Sequence, residues 1–435
     1  MTTKVVIIIE KCTTFVAEMN HEVYIARRLK LNNERQEGSP SLTVALTGIV
    51  LAVVVMILSI AIVMGFKGEI TGKILHLDAH LKVTNAALGI DENYATVNGR
   101  EVREAIAQDG AFAPRVQSMS LIADKSAILK TDNDFMGIIM RGVDGGYDFT
   151  YLKSKLVDGD IPEVSDTAST SQIIISRTVA SRLQLHAGDK VPTYFIDNNI
   201  KVRNLTVSGV FETDLEAFDN AFIVGGIGIV QGVNGWHGDM GTQVAVNMKS
   251  TRDLETDGYE LYSLLASSTV QHESKNLFFV TTTQQNNVAF FAWLQMLDMN
   301  VVIILTLMMI VAAFTLISAM LMIVLERIRV VGNFKAMGAT NGSIRRIFIY
   351  LTGKLILKAL VIGNAIGIGL CLLQHYGHIV RLDPSAYYMP YVPISLSIPA
   401  LVLLNIGIIV VSYFTLLGAS HIISTIKPTA TMRFE

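Results

Sequence analysis

Long apolar runs alternate along this chain with segments of mixed polarity. Residues Leu42 to Phe66 form a run of 25 residues without a charged side chain, and Met299 to Leu325 form another of 27. Two further apolar runs cover about 350–374 and 394–419. A helix of about 20 apolar residues can cross the hydrocarbon core of a bilayer. The pattern therefore predicts four transmembrane helices. In the third, Gly363 and Gly367 form a small-xxx-small pattern that predicts close contact with another helix.

Composition agrees with a membrane protein. Hydrophobic residues make up 51% of the chain and charged residues 17%, whereas soluble domains carry about 25% charged residues. The net charge of -2 gives no reason to expect a nucleic-acid partner. The two cysteines, Cys12 and Cys371, both lie outside the long polar segment, so a disulfide framework is excluded there.

The distribution of Lys and Arg predicts the orientation of the spans. Cytoplasmic loops and tails carry an excess of these residues. Eleven lie near span ends on one side of the membrane and one, Arg381, lies in the short loop on the other. The eleven are Arg27, Arg28, Lys30, Arg35, Arg327, Arg329, Lys335, Arg345, Arg346, Lys427 and Arg433. Both termini and the loop 326–346 are therefore expected in the cytoplasm, and 67–285 outside it.

The long segment 67–285 mixes strand and helix patterns, which predicts an α+β domain. Strands are predicted at His80–Thr84, Gly137–Asp144, Gln172–Ser176, Val202–Glu212 and Thr242–Met248, and amphipathic helices at Gly99–Gln108 and Ser176–Leu185. We find no catalytic constellation and no phosphate-binding loop. His76 and His80 have no third ligand nearby in the sequence, so a metal site is not expected. The chain is predicted to have no enzymatic activity of its own.

The segment between the second and third spans is short, basic and half apolar. Val330, Phe334 and Met337 are spaced as one stripe of a short helix. Gly338 is a plausible helix stop, and Thr340 or Asn341 a plausible N-cap for the next helix. Two interpretations remain open. The helix rests on anionic lipid headgroups, or it docks into a cytoplasmic partner, which the chain's lack of an energy source favours.

Several motifs, taken in order, resemble the FtsX/MacB-like permeases of ABC transporters, in particular the lipoprotein-releasing LolC/LolE type. They are YIARRLK (Tyr24–Lys30), VMGFKGEITGKILHLDAHLKV (Val63–Val83), GVDGG (Gly142–Gly146), IIISRTVASRLQLHAGDKV (Ile173–Val191), VSGVFET (Val207–Thr213), LERIRVVGNFKAMGATNGSIRRIF (Leu325–Phe348) and KPTATMRFE (Lys427–Glu435). Each is weak alone, and their order and spacing make the resemblance specific.

The resemblance implies a multi-pass permease of the bacterial inner membrane, with its large domain in the periplasm. A separate, LolD-like cytoplasmic ATPase would bind ATP and Mg, so this chain would carry no cofactor. Two permease subunits, as a homodimer or heterodimer, would enclose a cavity formed by their first and second spans. The substrate would be a lipoprotein, passed on to a periplasmic carrier. The hairpin Thr193–Asn204 is shorter than the loop that grips the carrier in LolC-type subunits, which leaves direct recruitment open.

The resemblance also implies roles for individual residues. Residues expected to couple to the ATPase are Glu326, Lys335, Met337, Gly338 and Ala339, together with Val330 and Phe334 of the apolar stripe. Many relatives carry an acidic residue where this chain has Val330. Residues expected to line the substrate cavity are Val54, Ile57, Leu58, Ile62, Gly65, Phe66, Met308 and Met309. Flexible methionines suit acyl chains of variable shape.

The expected organisation is an α-helical membrane protein with four transmembrane helices and a large α+β extracytoplasmic domain between the first and second. Its parts are an N-terminal cytoplasmic segment with a lead-in helix (1–41), the first span (42–66), the outer domain (67–285), the second span with an outer extension (286–325), the coupling segment (326–349), the third span (350–374), a short outer loop (375–393), the fourth span (394–419) and a cytoplasmic tail (420–435). Met1 and Met19 are alternative starts.

Two alternative functions remain within the same resemblance. One is a MacB-like permease for efflux of peptides or drugs. The other is an FtsX-like lever that controls cell-wall hydrolases and moves no lipid, although FtsX-like chains usually have a much smaller outer domain.

Overall fold

The computed structural model describes residues 40–85, 96–132, 134–164, 171–196, 199–271 and 277–424. The chain divides into two compact units. The membrane unit comprises the described residues up to Lys67, Leu294–Arg381 and the described residues from Val392 onward, and the sheet unit comprises Gly68–Trp293 and Leu382–Tyr391. The predicted lead-in helix and most of the predicted C-terminal tail lie outside the described residues.

The described helices and strands are numbered in chain order. The helices are α1 (Pro40–Leu77), α2 (Gly99–Gln108), α3 (Thr150–Ser154), α4 (Arg177–Leu183), α5 (Glu216–Asp219), α6 (Ile227–Asn234), α7 (Leu254–Gln271), α8 (Thr283–Asn286), α9 (Val288–Glu326), α10 (Ile328–Ala336), α11 (Asn341–Gly377), α12 (Pro384–Tyr387) and α13 (Ile398–Ser424). The strands are β1 (Leu81–Asn85), β2 (Val97–Asn98), β3 (Val116–Lys130), β4 (Phe135–Val143), β5 (Leu156–Gly159), β6 (Gln172–Ser176), β7 (Lys190–Ile196), β8 (Ile200–Phe211), β9 (Phe222–Gly226), β10 (Met240–Gly241), β11 (Gln243–Met248) and β12 (Phe278–Thr282).

Within the described ranges, four helices are long and apolar enough to cross a membrane, namely α1, α9, α11 and α13. They correspond to the four predicted spans, with different bounds. Helix α1 continues past Phe66 to Leu77, and α11 begins at Asn341, before the predicted span. Helix α1 therefore carries the chain from the membrane unit into the sheet unit, and α9 carries it back.

Helix α11 packs closely on α1. A Cβ atom placed on Gly363 would lie 2.8 Å from Val53, and one on Gly367 would lie 3.0 Å from Ile57. The predicted close contact is therefore confirmed, and its partner is the first span. On another side of α11, Asn364 and Asn405 of α13 exchange side-chain hydrogen bonds of 2.7 and 3.0 Å. Interhelical amide pairs of this kind stabilise membrane bundles modestly.

The sheet unit is built on a ten-stranded mixed sheet. Its strand order is β12-β1-β11-β3-β4-β9-β6-β8-β5, with β7 paired to both β3 and β8. The β4–β9 and β6–β8 pairs are parallel, and helices pack on the sheet as expected of an α+β domain. Helix α2 shows why the local pattern succeeds. The Asn98 side chain accepts the backbone N–H groups of Arg100 and Glu101, and Val102 and Ile106 are buried one turn apart.

Candidate functional site

The segment between α9 and α11 contains a short helix, α10, followed by a tight turn. Gly338 has a φ of +87°, a conformation that glycine adopts without strain. The Ala339 N–H donates to the Phe334 carbonyl at 2.9 Å, which closes the end of the helix. The Thr340 hydroxyl then accepts the Ser343 N–H at 3.2 Å and caps α11. The predicted helix stop at Gly338 and the predicted N-cap at Thr340 are confirmed.

The buried face of α10 differs from the predicted stripe. Val331 is fully buried, whereas Val330 and Phe334 are half-buried. Met337 is 74% exposed. Met337 does not lie on the buried face because α10 ends at Ala336, so Met337 is not part of the helix. The membrane unit therefore holds α10 mainly through Val331, and Met337 is available to another molecule.

The residues predicted to couple to an ATPase occupy this one segment. Glu326, Met337 and Gly338 are exposed, and Lys335 and Ala339 are half-buried. A Cβ atom at Gly338 would have no atom within 4 Å, so space does not require glycine at this position. The positive φ of the backbone does. The coupling role of these residues stays a prediction.

Arg345 contributes to the segment in a way that the sequence did not indicate. Its Nε donates to the Ser420 hydroxyl at 2.9 Å, and a terminal nitrogen donates to the Leu417 carbonyl at 3.3 Å. These bonds join the first turns of α11 to the last turns of α13. No local pattern reveals the contact, because the partners are more than 70 residues away in the sequence.

The first-span residues predicted to line a cavity have unequal exposure. Ile62 is exposed and Leu58 half-buried, but Val54 is buried and Ile57 has no exposed surface. Ile57 packs against Gly367 of α11. Val54 and Ile57 are therefore buried within the membrane unit, and their role at a substrate cavity stays a prediction. The cavity itself stays a prediction.

Gly65 has a packing role at the outer end of the predicted first span. A Cβ atom there would lie 2.5 Å from the Pro393 carbonyl oxygen, closer than a real side chain can approach. The Ser395 N–H donates to the Ala61 carbonyl at 3.1 Å beside it. The glycine therefore lets α1 pass the segment that leads into α13. Phe66 is half-buried.

Many large side chains of the second span, α9, are exposed. Met308 and Met309 are half-buried and pack against the membrane unit's core. The large side chains that α9 exposes include Ile303, Leu307 and Phe314, which no sequence motif distinguishes. Hydropathy alone cannot separate these residues from the packed ones.

The histidines of the sheet unit are not arranged as a metal site in the part of the chain that the structure describes. The described residues contain no group of three His, Cys, Asp or Glu side chains placed to hold a metal ion. The Nδ1 atom of His80 accepts the Met248 N–H at 2.9 Å, and burial lowers the pKa of His80. His76 stacks on Tyr151, with ring centroids 5.1 Å apart. Both histidines therefore have structural contacts.

Two protein-family models match the chain. The model for the MacB-like periplasmic core domain matches residues 42–257, and the model for the FtsX-like permease C-terminal region matches residues 302–428. Together they cover the sheet unit's main strands, all four membrane helices in full or in large part, and the coupling segment. The chain belongs to the FtsX/MacB-like family of ABC transporter permeases.

Within that family the chain is similar to lipoprotein-releasing proteins. It is 23% identical over 411 residues to the lipoprotein-releasing system transmembrane protein LolC of Xylella fastidiosa, covering 90% of this chain and 93% of that one. It is 21% identical over 420 residues to LolC of Neisseria meningitidis, covering 90% and 94%. Among solved structures, the periplasmic region of MacB from Actinobacillus actinomycetemcomitans covers 48% of this chain and 92% of its own, with 14% identity and a TM-score of 0.34.

Proposed function

We propose that this chain is the permease subunit of an ABC transporter that extracts lipoproteins from the outer leaflet of the inner membrane for transfer to the outer membrane. The observation that carries the proposal is similarity to LolC proteins of two organisms over 90% of the chain. The chain is a multi-pass protein of the bacterial inner membrane with cytoplasmic termini and a periplasmic sheet unit. A second permease subunit and a lipoprotein carrier complete the pathway.

The proposed substrate explains why such a machine needs an energy source. Each buried CH₂ of an acyl chain contributes about 0.8 kcal/mol to membrane binding, so a triacylated protein leaves the bilayer very slowly by itself. The exposed apolar face of α9, including Leu307 and Phe314, offers acyl chains an alternative surface. In this proposal Ile62, Met308 and Met309 lie near that surface.

Energy comes from a LolD-like ATPase that binds ATP and Mg and docks on the coupling segment. Exposed Met337 and Glu326 provide an apolar contact and a charged one. Val331 anchors α10 in the membrane unit, so movement of the ATPase is passed to the bundle.

Depletion of the protein tests the proposal. We expect lipoproteins to accumulate in the inner membrane, measured by separating the two membranes and blotting for lipoproteins. Normal sorting with chained, undivided cells would instead support an FtsX-like role. Normal sorting with increased sensitivity to exported peptides or drugs would support MacB-like efflux.

Substitutions in the coupling segment test the docking separately. Lys335→Glu and Gly338→Val are expected to abolish substrate-stimulated ATP turnover of the purified complex. A β-branched residue at the positive φ of Gly338 costs about 1–3 kcal/mol of backbone strain, and Gly342→Ala is the matched control because no atom lies closer than 3.9 Å there. Unchanged turnover in both variants would mean that α10 only rests on lipid.

A further inference from the structure

The loop between α11 and α13 belongs to the sheet unit. Residues Leu382–Tyr391 group with the sheet unit, although the helices on either side belong to the membrane unit. The Leu382 N–H donates to the Pro390 carbonyl at 3.0 Å, which closes the loop on itself. Met389 is buried, and Tyr388 has a φ of +61°. A non-glycine residue in this conformation persists only where its surroundings hold it.

A lysine side chain holds the loop from one side. The Nζ of Lys73, near the end of α1, donates to the Tyr388 carbonyl at 2.7 Å and the Thr213 carbonyl at 3.0 Å. It also lies 3.4 Å from a carboxylate oxygen of Asp214. A lysine ammonium has three donors, and these three acceptors account for all of them. The side chain is only 4% exposed, so water cannot easily replace a lost partner.

Aromatic contacts hold the loop from the other side. The Tyr388 ring meets the rings of Phe290 and Trp293 edge-on, with centroids 6.0 and 6.3 Å apart. Phe290 and Trp293 belong to the first turns of α9. Edge-to-face pairs at this separation are favourable. One residue of the loop thus contacts α1 through its carbonyl and α9 through its ring.

The acceptors of Lys73 are themselves fixed within the sheet unit. The Thr213 hydroxyl donates to the Asp219 carboxylate at 2.7 Å, and the Thr213 N–H donates to it at 3.2 Å. Thr213 lies two residues after the last residue of β8, Phe211. A displacement of the loop at Tyr388 is therefore passed through Lys73 to a strand end.

We infer that Lys73 is a positioning residue that joins the α11–α13 loop to the sheet unit, so that movement of the third and fourth membrane helices drives the outer domain during transport. The inference rests on the proposed function only for the identity of the transported molecule, a lipoprotein. The mechanical connection itself requires only that the chain is a permease driven by nucleotide hydrolysis. Lys73 touches no substrate and acts through Tyr388 and Thr213.

Release per ATP in the intact complex tests the inference. We would purify the full chain with its ATPase and partner permease, reconstitute the complex in liposomes with a triacylated lipoprotein, and measure ATP hydrolysed and lipoprotein released. Lys73→Met should keep ATP turnover within about twofold while release per ATP falls about tenfold or more, the factor expected when one or two buried hydrogen bonds are lost. Lys73→Arg, which keeps a charge and donors, should restore part of the release.

Two further variants separate positioning from general stability. Lys67→Met removes a lysine six positions earlier whose ion-pair partner Asp298 is largely exposed, and it should leave release per ATP unchanged. Tyr388→Ala acts from the loop side and should resemble Lys73→Met, and the double variant should be no worse than either single one because both break one connection. Parallel loss of yield, ATP turnover and release in Lys73→Met and Tyr388→Ala would overturn the inference.

Hydrogen exchange gives a readout that needs no lipoprotein. In the wild-type complex, ATP with vanadate should change exchange at 382–391 and 213–219, and in Lys73→Met the change at 213–219 should disappear. Persistence of that change in the variant would overturn the positioning role. Wild-type complex that hydrolyses ATP but releases no lipoprotein would instead contradict the proposed cargo and leave the exchange test valid.

Discussion

The first and second membrane helices are alike in length and hydropathy and different in packing. Helices α1 and α9 have 38 and 39 residues, and their most apolar windows have mean hydropathies of 3.1 and 2.8. Yet 44% of that window is buried in α1 and only 11% in α9. Hydropathy is sufficient to predict that both cross a membrane. It does not predict which of them forms the centre of the bundle.

Small residues on a neighbouring helix account for the difference. Helix α1 is close to α11 because Gly363 and Gly367 leave room for Val53 and Ile57. In lipid the hydrophobic effect gives helices little reason to associate, so close approach decides packing. Helix α9 packs mainly through its second half, where Ala312 and Leu316 are buried. The first half is largely exposed, so lipid, a second subunit or substrate can contact it.

The largest effect is expected from filling the contact between α1 and α11. Gly363→Val would place a Cβ atom 2.8 Å from Val53 and force the two helices apart, at a cost of about 3 kcal/mol of unfolding free energy. Unfolding of the full chain in bicelles would measure it. Gly369→Val, on the same helix with no atom within 4 Å, is the control. Equal stability of the two variants would show that α1 is not the packed span.

Truncating one side chain on each span is expected to give a smaller effect. Ile57→Ala should lower the free energy of unfolding by about 1–2 kcal/mol. The substitution leaves a cavity in the packed bundle, whereas moving an apolar side chain between lipid and protein changes the free energy little. Leu307→Ala, at a side chain that is 55% exposed, should change stability by less than about 0.5 kcal/mol. The same bicelle measurement compares them. Lipoprotein release should fall for Leu307→Ala if α9 offers the substrate surface, and a normal rate would remove that role from this residue.

A small effect is also expected where the two helices share an ion pair. Lys67 of α1 and Asp298 of α9 lie 2.7 Å apart and are substantially exposed. Lys67→Met should therefore lower stability by only about 0–1 kcal/mol, and added salt should reduce the difference further. A loss as large as that of Gly363→Val would mean that charge pairing, and not close packing, fixes α9 against α1.

Local features of this chain could be predicted and distant ones could not. The helix Gly99–Gln108 and the strand Gln172–Ser176 have the bounds that the sequence suggested, because their caps and periodicity lie within a few residues. The turn at Gly338 was predicted for the same reason. Val331 was missed because α10 has only nine residues, too few for the spacing of its apolar residues to define one buried face. Lys73 was missed because its acceptors come from residues 213 and 388, which only the folded chain brings together.

The length of α1 has a geometric consequence. At about 1.5 Å per residue, 38 residues make a helix of about 57 Å, nearly twice the roughly 30 Å of hydrocarbon it must cross. A stiff rod of that length turns a tilt of about 10° around one end into a sweep of about 10 Å at the other. If two permeases pair as proposed, a small change of angle inside the bilayer would become a displacement large enough to widen or narrow the space between them.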